Sequence, residues 1–239
     1  MNQKILWKIE ELWKKYYKPD NVSSISLEQL HGNYNNNQSQ YHERFFMVDT
    51  FGFNESKNIV FKDDYGKYKG LEKLQVTMIN DTLVYLIDNH NEILYPFVEL
   101  KTVSDTIFDV VHIDAHPDDA EFQGEKKNEL NLENIKEYIA ETRISDFFDA
   151  VSGAQLIGNV HRVCHSNNFE FFLPPEKPYI LSLDVDIFGP EGDFAEIEDK
   201  VRAIALAWSR ADVVVVAMSP GFIDQKYAQE IIKIFTTYI

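Results

Sequence analysis

Residues 110–122, VVHIDAHPDDAEF, begin as an interior strand and end in a crowd of acids and imidazoles. Val110, Val111 and Ile113 are β-branched and apolar, as a strand buried on both faces requires. Alternation along an extended chain sets His112, Asp114, His116 and Asp118 on one face. Asp114 and Asp118 cannot share a buried strand end uncompensated, because like charges repel strongly where water is excluded. A divalent cation is the simplest compensation, and His116 between them offers a third ligand.

A second stretch has the same character. Residues 178–190, PYILSLDVDIFGP, form an apolar strand with Asp184 and Asp186 on one face. Residues 83–94, LVYLIDNHNEIL, form a third, which stops at Asp88-Asn89-His90 and turns helical. Strands of this kind lie side by side in a parallel sheet, and ligands bind in the crevice at their carboxyl ends. One Asp-x-Asp alone commonly caps a helix or pairs with a lysine, and one histidine after a strand is commonly a turn residue. Three strand ends with six ligand-type side chains are a different matter. The set is His90, Asp114, His116, Asp118, Asp184 and Asp186, while His112, inside its strand, reads as a supporting or core residue. Four aspartates balance two divalent ions. A donor set richer in oxygen than nitrogen, without thiolate, favours manganese or magnesium over structural zinc. Metal-assisted hydrolysis is the reaction class these residues permit.

The rest of the chain supports an α/β reading. Residues 5–17 have helical spacing and end before Pro19, and residues 31–41, HGNYNNNQSQY, read as a loop. Residues 45–86 are β-rich, with a hairpin over 75–87 around Asn80-Asp81. Helices are expected over 92–100, 131–142, 144–156, 196–210 and 224–238. Short extended segments are expected at 160–165 and 169–173, and a fully buried strand at 212–218. The alternation from Leu83 onward predicts a mostly parallel sheet with helices on both faces, in three layers. The expected organisation is one α/β domain over 1–239, with an N-terminal helix and β-rich extension (1–82) and a metal-binding core (83–239).

Composition bounds the function. Hydrophobic residues make up 44% of 239, which argues against disorder. The single Cys164 excludes an intramolecular disulfide and suits a reducing, cytoplasmic setting. No apolar run reaches membrane-span length, and the first 18 residues are too charged for a signal peptide, so no membrane role is expected. The formal charge of −16 argues against a nucleic-acid partner and is compatible with a cationic substrate. Assembly into a homo-oligomer is compatible with the sequence.

These residues resemble a known family. His112-Ile113-Asp114-Ala115-His116-Pro117-Asp118 is similar to the DAHxD motif of the arginase/agmatinase (ureohydrolase) superfamily. Ser182-Leu183-Asp184-Val185-Asp186 resembles its SxDxD motif, and Asp88-Asn89-His90-Asn91 resembles its GGDHS segment. The resemblance runs from about Leu83 onward and implies an arginase/deacetylase-like fold and two Mn2+ ions. It implies that His90 and Asp118 hold one ion, His116 and Asp186 the other, and that Asp114 and Asp184 bridge them. Asp118 would also take the proton of the attacking hydroxide, and Asp186 would stabilise the tetrahedral intermediate. The strand carrying the guanidinium-binding glutamate of free-arginine enzymes reads Val216-Ala217-Met218-Ser219-Pro220 here, with Ala217 in the glutamate's place. This resembles the divergent branch that includes peptide arginases, which convert arginine in a ribosomal precursor peptide to ornithine and urea. On that reading the partner is an arginine-containing precursor peptide. His161 (with His165 as a substitute) is the candidate proton shuttle, His165 a candidate substrate contact, and Asp224 a candidate replacement carboxylate. The β-rich extension would hold the peptide by strand addition.

Three alternatives stay open. One is a small-molecule ureohydrolase of the arginine or agmatine type. Another is a zinc-dependent N-acetylglucosaminyl deacetylase-like hydrolase. His116-Pro117-Asp118-Asp119-Ala120-Glu121 resembles that family's HPDDxE motif, with Asp118 as base and His116 and Asp119 as zinc ligands. The third is a non-catalytic protein that binds metal or peptide.

Overall fold

The computed structural model describes residues 2–16 and 45–239, and the loop expected at 31–41 lies outside them. Helix α1 (Asn2–Tyr16) is followed by β1 (Phe46–Met47), β2 (Glu55–Lys62), β3 (Lys67–Leu71), β4 (Gln75–Ile79) and β5 (Thr82–Ile87). A single 3-10 turn, His90–Ile93, leads into α2 (Leu94–Val103), then β6 (Asp109–Ile113), α3 (Ile135–Glu141), α4 (Phe147–Ala150) and β7 (Val160–Val163). The remaining elements are α5 (Ser166–Glu170), β8 (Tyr179–Asp184), α6 (Ile197–Trp208), β9 (Val213–Ala217) and α7 (Gln225–Tyr238).

Seven strands form one sheet in the order β1-β4-β5-β9-β8-β6-β7. β5, β9, β8, β6 and β7 run parallel to one another, and β4 pairs antiparallel with β5. Asn80 and Asp81, both at positive φ (47° and 65°), make the two-residue turn between β4 and β5. β2 and β3 form a separate antiparallel pair. The expected β-rich extension is therefore divided, with β1 and β4 widening the main sheet and β2–β3 standing apart.

Strict alternation sorts the strand residues into two cores. Val84, Leu86, Val111, Ile113, Leu181, Leu183, Val214 and Val216 face one layer, packed with Ile5 and Ile9 of α1, Phe169 of α5, and α6 and α7. Tyr85, Ile87, Val110, Ile180, Val213 and Val215 face the other, packed with Phe97 of α2, Ile135 and Tyr138 of α3, and Phe147 of α4. This is the expected three-layer α/β arrangement of the arginase/deacetylase-like kind. Among the described residues, no helix is long and apolar enough to cross a membrane.

The elements differ from expectation in three places. Residues 169–173 are not extended: Phe169 lies in α5 and is fully buried against the α6 layer. The helix expected over 144–156 contracts to the four residues of α4. β6 stops at Ile113, so the chain does not stay extended to Asp118.

Candidate metal centre

The parallel strands end together, and each delivers its polar residues to one crevice. From β5 come Asp88 to His90, from β6 Asp114 to Asp118, from β8 Asp184 and Asp186, and from β9 Ser219. The turn after β5 is locked on all sides. Glu92 Oε2 accepts from the amides of Asp88 (2.9 Å) and Asn89 (3.1 Å). Asn91 Nδ2 donates to the carbonyl of Thr142 at 2.8 Å, and Asn89 Nδ2 to that of Val60 at 2.9 Å. His90 is thereby fixed with 3% of its side chain exposed.

His90 Nδ1 lies 2.7 Å from Asp114 Oδ2, 3.3 Å from Asp184 Oδ2 and 3.4 Å from Asp118 Oδ2. Its other nitrogen, Nε2, is 2.7 Å from Ser182 Oγ. His116 Nδ1 lies 3.1 Å from Asp186 Oδ2 and 3.4 Å from Asp114 Oδ1. Among the described residues, two groups of ligand-type atoms result: His90, His112, Asp114 and Asp118 in one, and Asp114, His116 and Asp186 in the other. Asp114 belongs to both, one carboxylate oxygen turned to each histidine. Asp184 belongs to neither group: its Oδ2 lies 3.3 Å from His90 Nδ1, and its Oδ1 accepts from the Asp186 amide at 2.9 Å.

Asp118 reaches the cluster through a turn instead of by strand alternation. The chain bends after Ile113, the amide of His116 donates to Asp114 Oδ1 at 2.7 Å, and Asp118 takes a left-handed φ of 46°. His112 is closer to the cluster than a core residue needs to be, with Nε2 3.6 Å from Asp114 Oδ2 and 3.8 Å from Asp118 Oδ2. That nitrogen also lies 3.1 Å from the carbonyl of His116, to which it donates. Burial pushes His112 down to about 3, so the ring is neutral.

The electrostatics fit a site for cations. Burial, reinforced by Asp114, pushes Asp118 up to about 8. Burial, then Asp184 and Asp114, push Asp186 well above the carboxylate range. Burial alone would lower His90, but hydrogen bonds to Asp114, Asp118 and Asp184 outweigh it and hold the ring well above its ordinary value. These groups retain protons because the cluster has more negative charge than it can bury. Divalent cations supply the same positive charge through the same atoms.

The cluster floors a cleft of about 390 Å³ whose walls include Ala115, Pro117, Ile144 and Phe222. Among the described residues its lining contains no Lys or Arg, and it adds Asp119 and Glu191 to the aspartates of the cluster. Phe222 packs edge-on to His116 (5.7 Å between ring centroids) and tilted against Phe61 of β2 (5.2 Å), so the β2–β3 pair braces one wall.

Three expected site residues are elsewhere. His161 lies in β7 with Nε2 3.2 Å from Asp109 Oδ2, at the amino end of β6 and away from the crevice. The reason is register: it sits beside Val111, and the carboxylate within reach is the one that opens β6. His165 stands exposed at the N-cap position of α5, without a side-chain capping hydrogen bond, and does not line the cleft. Asp224 caps α7, its Oδ1 accepting from the amides of Lys226 and Tyr227 at 3.0 Å, and it too is absent from the lining. Asp119 lines the cleft and belongs to neither ligand group.

Two further residues of the site leave little or no trace in the sequence. Ser219, at a left-handed φ of 42°, hydrogen-bonds Asp184 Oδ2 through its hydroxyl, and Glu191 hydrogen-bonds His116 Nε2. The Ser-Pro pair after a buried strand was a signal for the first. Glu191 is 75 positions from its partner, and nothing local announced it. Ala217 is fully buried beside Asp184 and Ile87 and contributes nothing to the lining.

Comparison of the chain with family models, with curated proteins and with solved structures gave no match.

Proposed function

We propose that the chain is a dimanganese ureohydrolase that acts on arginine within a peptide, giving ornithine and urea. The observation that carries this reading is the pair of ligand groups joined through Asp114 at the carboxyl ends of β5, β6 and β8. His90 and Asp118 would hold one ion, His116 and Asp186 the other, with Asp114 and Asp184 shared. When bound, the two ions supply an activated water and positive charge for the anion that develops at the reacting carbon.

The chain's own residues do the rest. After two divalent ions balance the four aspartates, Asp119 and Glu191 leave the cleft acidic, which suits a guanidinium. Asp118, at the floor, takes the proton of the attacking water and returns it to the departing amine. Ala115, Ile144 and Phe222 wall the cleft with apolar surface that limits water around the reacting carbon. Ala217 offers no carboxylate to a guanidinium, which leaves that role to the acidic lining of the cleft. The β2–β3 pair beside the cleft is a candidate surface for that peptide, joined by strand addition.

The test is mass spectrometry of an arginine-containing peptide and of free arginine after incubation with the manganese-loaded protein. Loss of CH2N2 from the peptide alone supports the proposal. Conversion of free arginine or agmatine alone would replace it with a small-molecule ureohydrolase. Two bound ions with no turnover of either would leave a different substrate or a binding protein.

A further inference from the structure

The two histidines of the centre are held very differently. His90 has 3% of its side chain exposed, whereas His116 has 35%, on a bend outside any helix or strand. A ring that open can swing away from the aspartates unless something outside the cluster holds it. Phe222 meets one side of it. Its only polar partner away from the aspartates, among the described residues, is Glu191, whose Oε2 accepts from Nε2.

We propose that Glu191 is a positioning residue for the second ion: it sets the tautomer and direction of His116 so that Nδ1 faces Asp114 and Asp186. This rests on the dinuclear reading above. A ring nitrogen can offer a lone pair only if its hydrogen is on the other nitrogen, and a carboxylate at Nε2 keeps it there. The backbone holds Glu191 in place. It stands in a 3-10 turn, Pro190–Gly192, that opens with a proline. The amide of Gly189 donates to the carbonyl of Asp186 at 2.6 Å. A Cβ on Gly192 would lie 1.9 Å from the carbonyl oxygen of Ile187, so the chain passes too closely there for any other residue. One stiff segment, 184–192, thus brings Asp184 and Asp186 to the ions and Glu191 to the histidine that completes the second group.

The experiment compares the full chain with E191A, E191M and E191Q, and with H116A as a reference. Bound manganese per chain, stepwise affinity by calorimetry and the electron paramagnetic resonance spectrum are measured, with thermal unfolding as a check on folding. The wild type should bind two ions and give an exchange-coupled spectrum. E191A and E191M should keep the first ion, bind the second roughly 10- to 100-fold more weakly, and show an isolated-ion spectrum like that of H116A. E191Q still offers an amide oxygen to Nε2 and should restore most of the second affinity. If E191A does not fold, the E191M and E191Q pair carries the comparison, since both keep the chain length of glutamate. Two ions of wild-type affinity and spectrum in E191M would overturn the proposal, even with a raised KM, which would make Glu191 a substrate contact. A wild type that binds fewer than two ions would instead overturn the dinuclear reading, and this inference with it.

Discussion

The hydroxyl of Ser182 lies 2.7 Å from Nε2 of His90, the ring nitrogen turned away from the aspartates. Both groups are buried, so the hydroxyl fixes the direction of the ring and keeps Nδ1 turned toward Asp114. S182A should fold and should bind its first manganese ion about tenfold more weakly, as loss of a partner behind a ligand does. Calorimetric titration with Mn2+ measures it, and an unchanged affinity would show that the hydroxyl does not orient the ring.

Asp114 is the residue common to both ligand groups, and Asp186 belongs to one. D114A should therefore lose both ions, and D186A only one. Elemental analysis after exhaustive dialysis against a low manganese concentration separates the two. Equal losses from both variants would mean that the ions are not linked through Asp114.

Without metal, the cluster should make the protein less stable as pH rises toward 8. Asp88, pushed up by burial to about 7, and Glu92, pushed up by burial and by Asp88 to about 8, keep protons in the folded chain that they lose in the unfolded one. Asp118 behaves likewise. The folded state then binds more protons than the unfolded state, so the slope of unfolding free energy against pH is negative. His112, lowered to about 3, acts in the opposite sense, but only below its ordinary value of 6.5. Between about pH 6.5 and 8 the contributions of Asp88, Glu92 and Asp118 share one sign. Chelated protein should melt at a lower temperature at pH 8 than at pH 6.5, while manganese should stabilise more at pH 8. A flat melting temperature in chelator would contradict the charge balance described for the site.

Gly221 has φ of +111°, and a Cβ there would lie 2.7 Å from Phe61 Cδ1. G221A should cost on the order of 1–3 kcal/mol from backbone strain and displaced packing. Because Phe61 backs Phe222 and Phe222 backs His116, the same change should raise KM. A KM like that of the wild type, with the stability loss observed, would separate the β2–β3 pair from the cleft.

Much of this site was legible because buried parallel strands write themselves as β-branched runs. Val110 to Ile113 and Ile180 to Leu183 could be little else, and acids at the ends of such runs demand compensation. Strand alternation alone accounts incompletely for Asp118. Alternation placed it on the right face, whereas a left-handed bend brings it there, and alternation does not encode bends. His161 follows from the family resemblance alone, and the carboxylate that occupies it, Asp109, lies 52 positions away in the sequence. Glu191 was invisible for the same cause, since a pairing across 75 positions leaves no periodic trace. Phe169 to Leu173 looked extended from its aromatics, but burial of Phe169 beneath α6 decided its conformation.

β6 and β8 are direct neighbours although some 70 residues separate their paired positions, and His90 meets Ser182 across 92. No short piece of the chain can assemble this constellation, and loop closure of that length precedes any reward from it. An ion therefore cannot nucleate folding here as it does in a zinc finger. It can only weight an equilibrium already reached, adding RT ln(1 + [L]/Kd) to the cost of opening the whole sheet. Saturating metal should then slow hydrogen exchange most in the amides of β6, β8 and β9, the ones exposed only when the sheet comes apart.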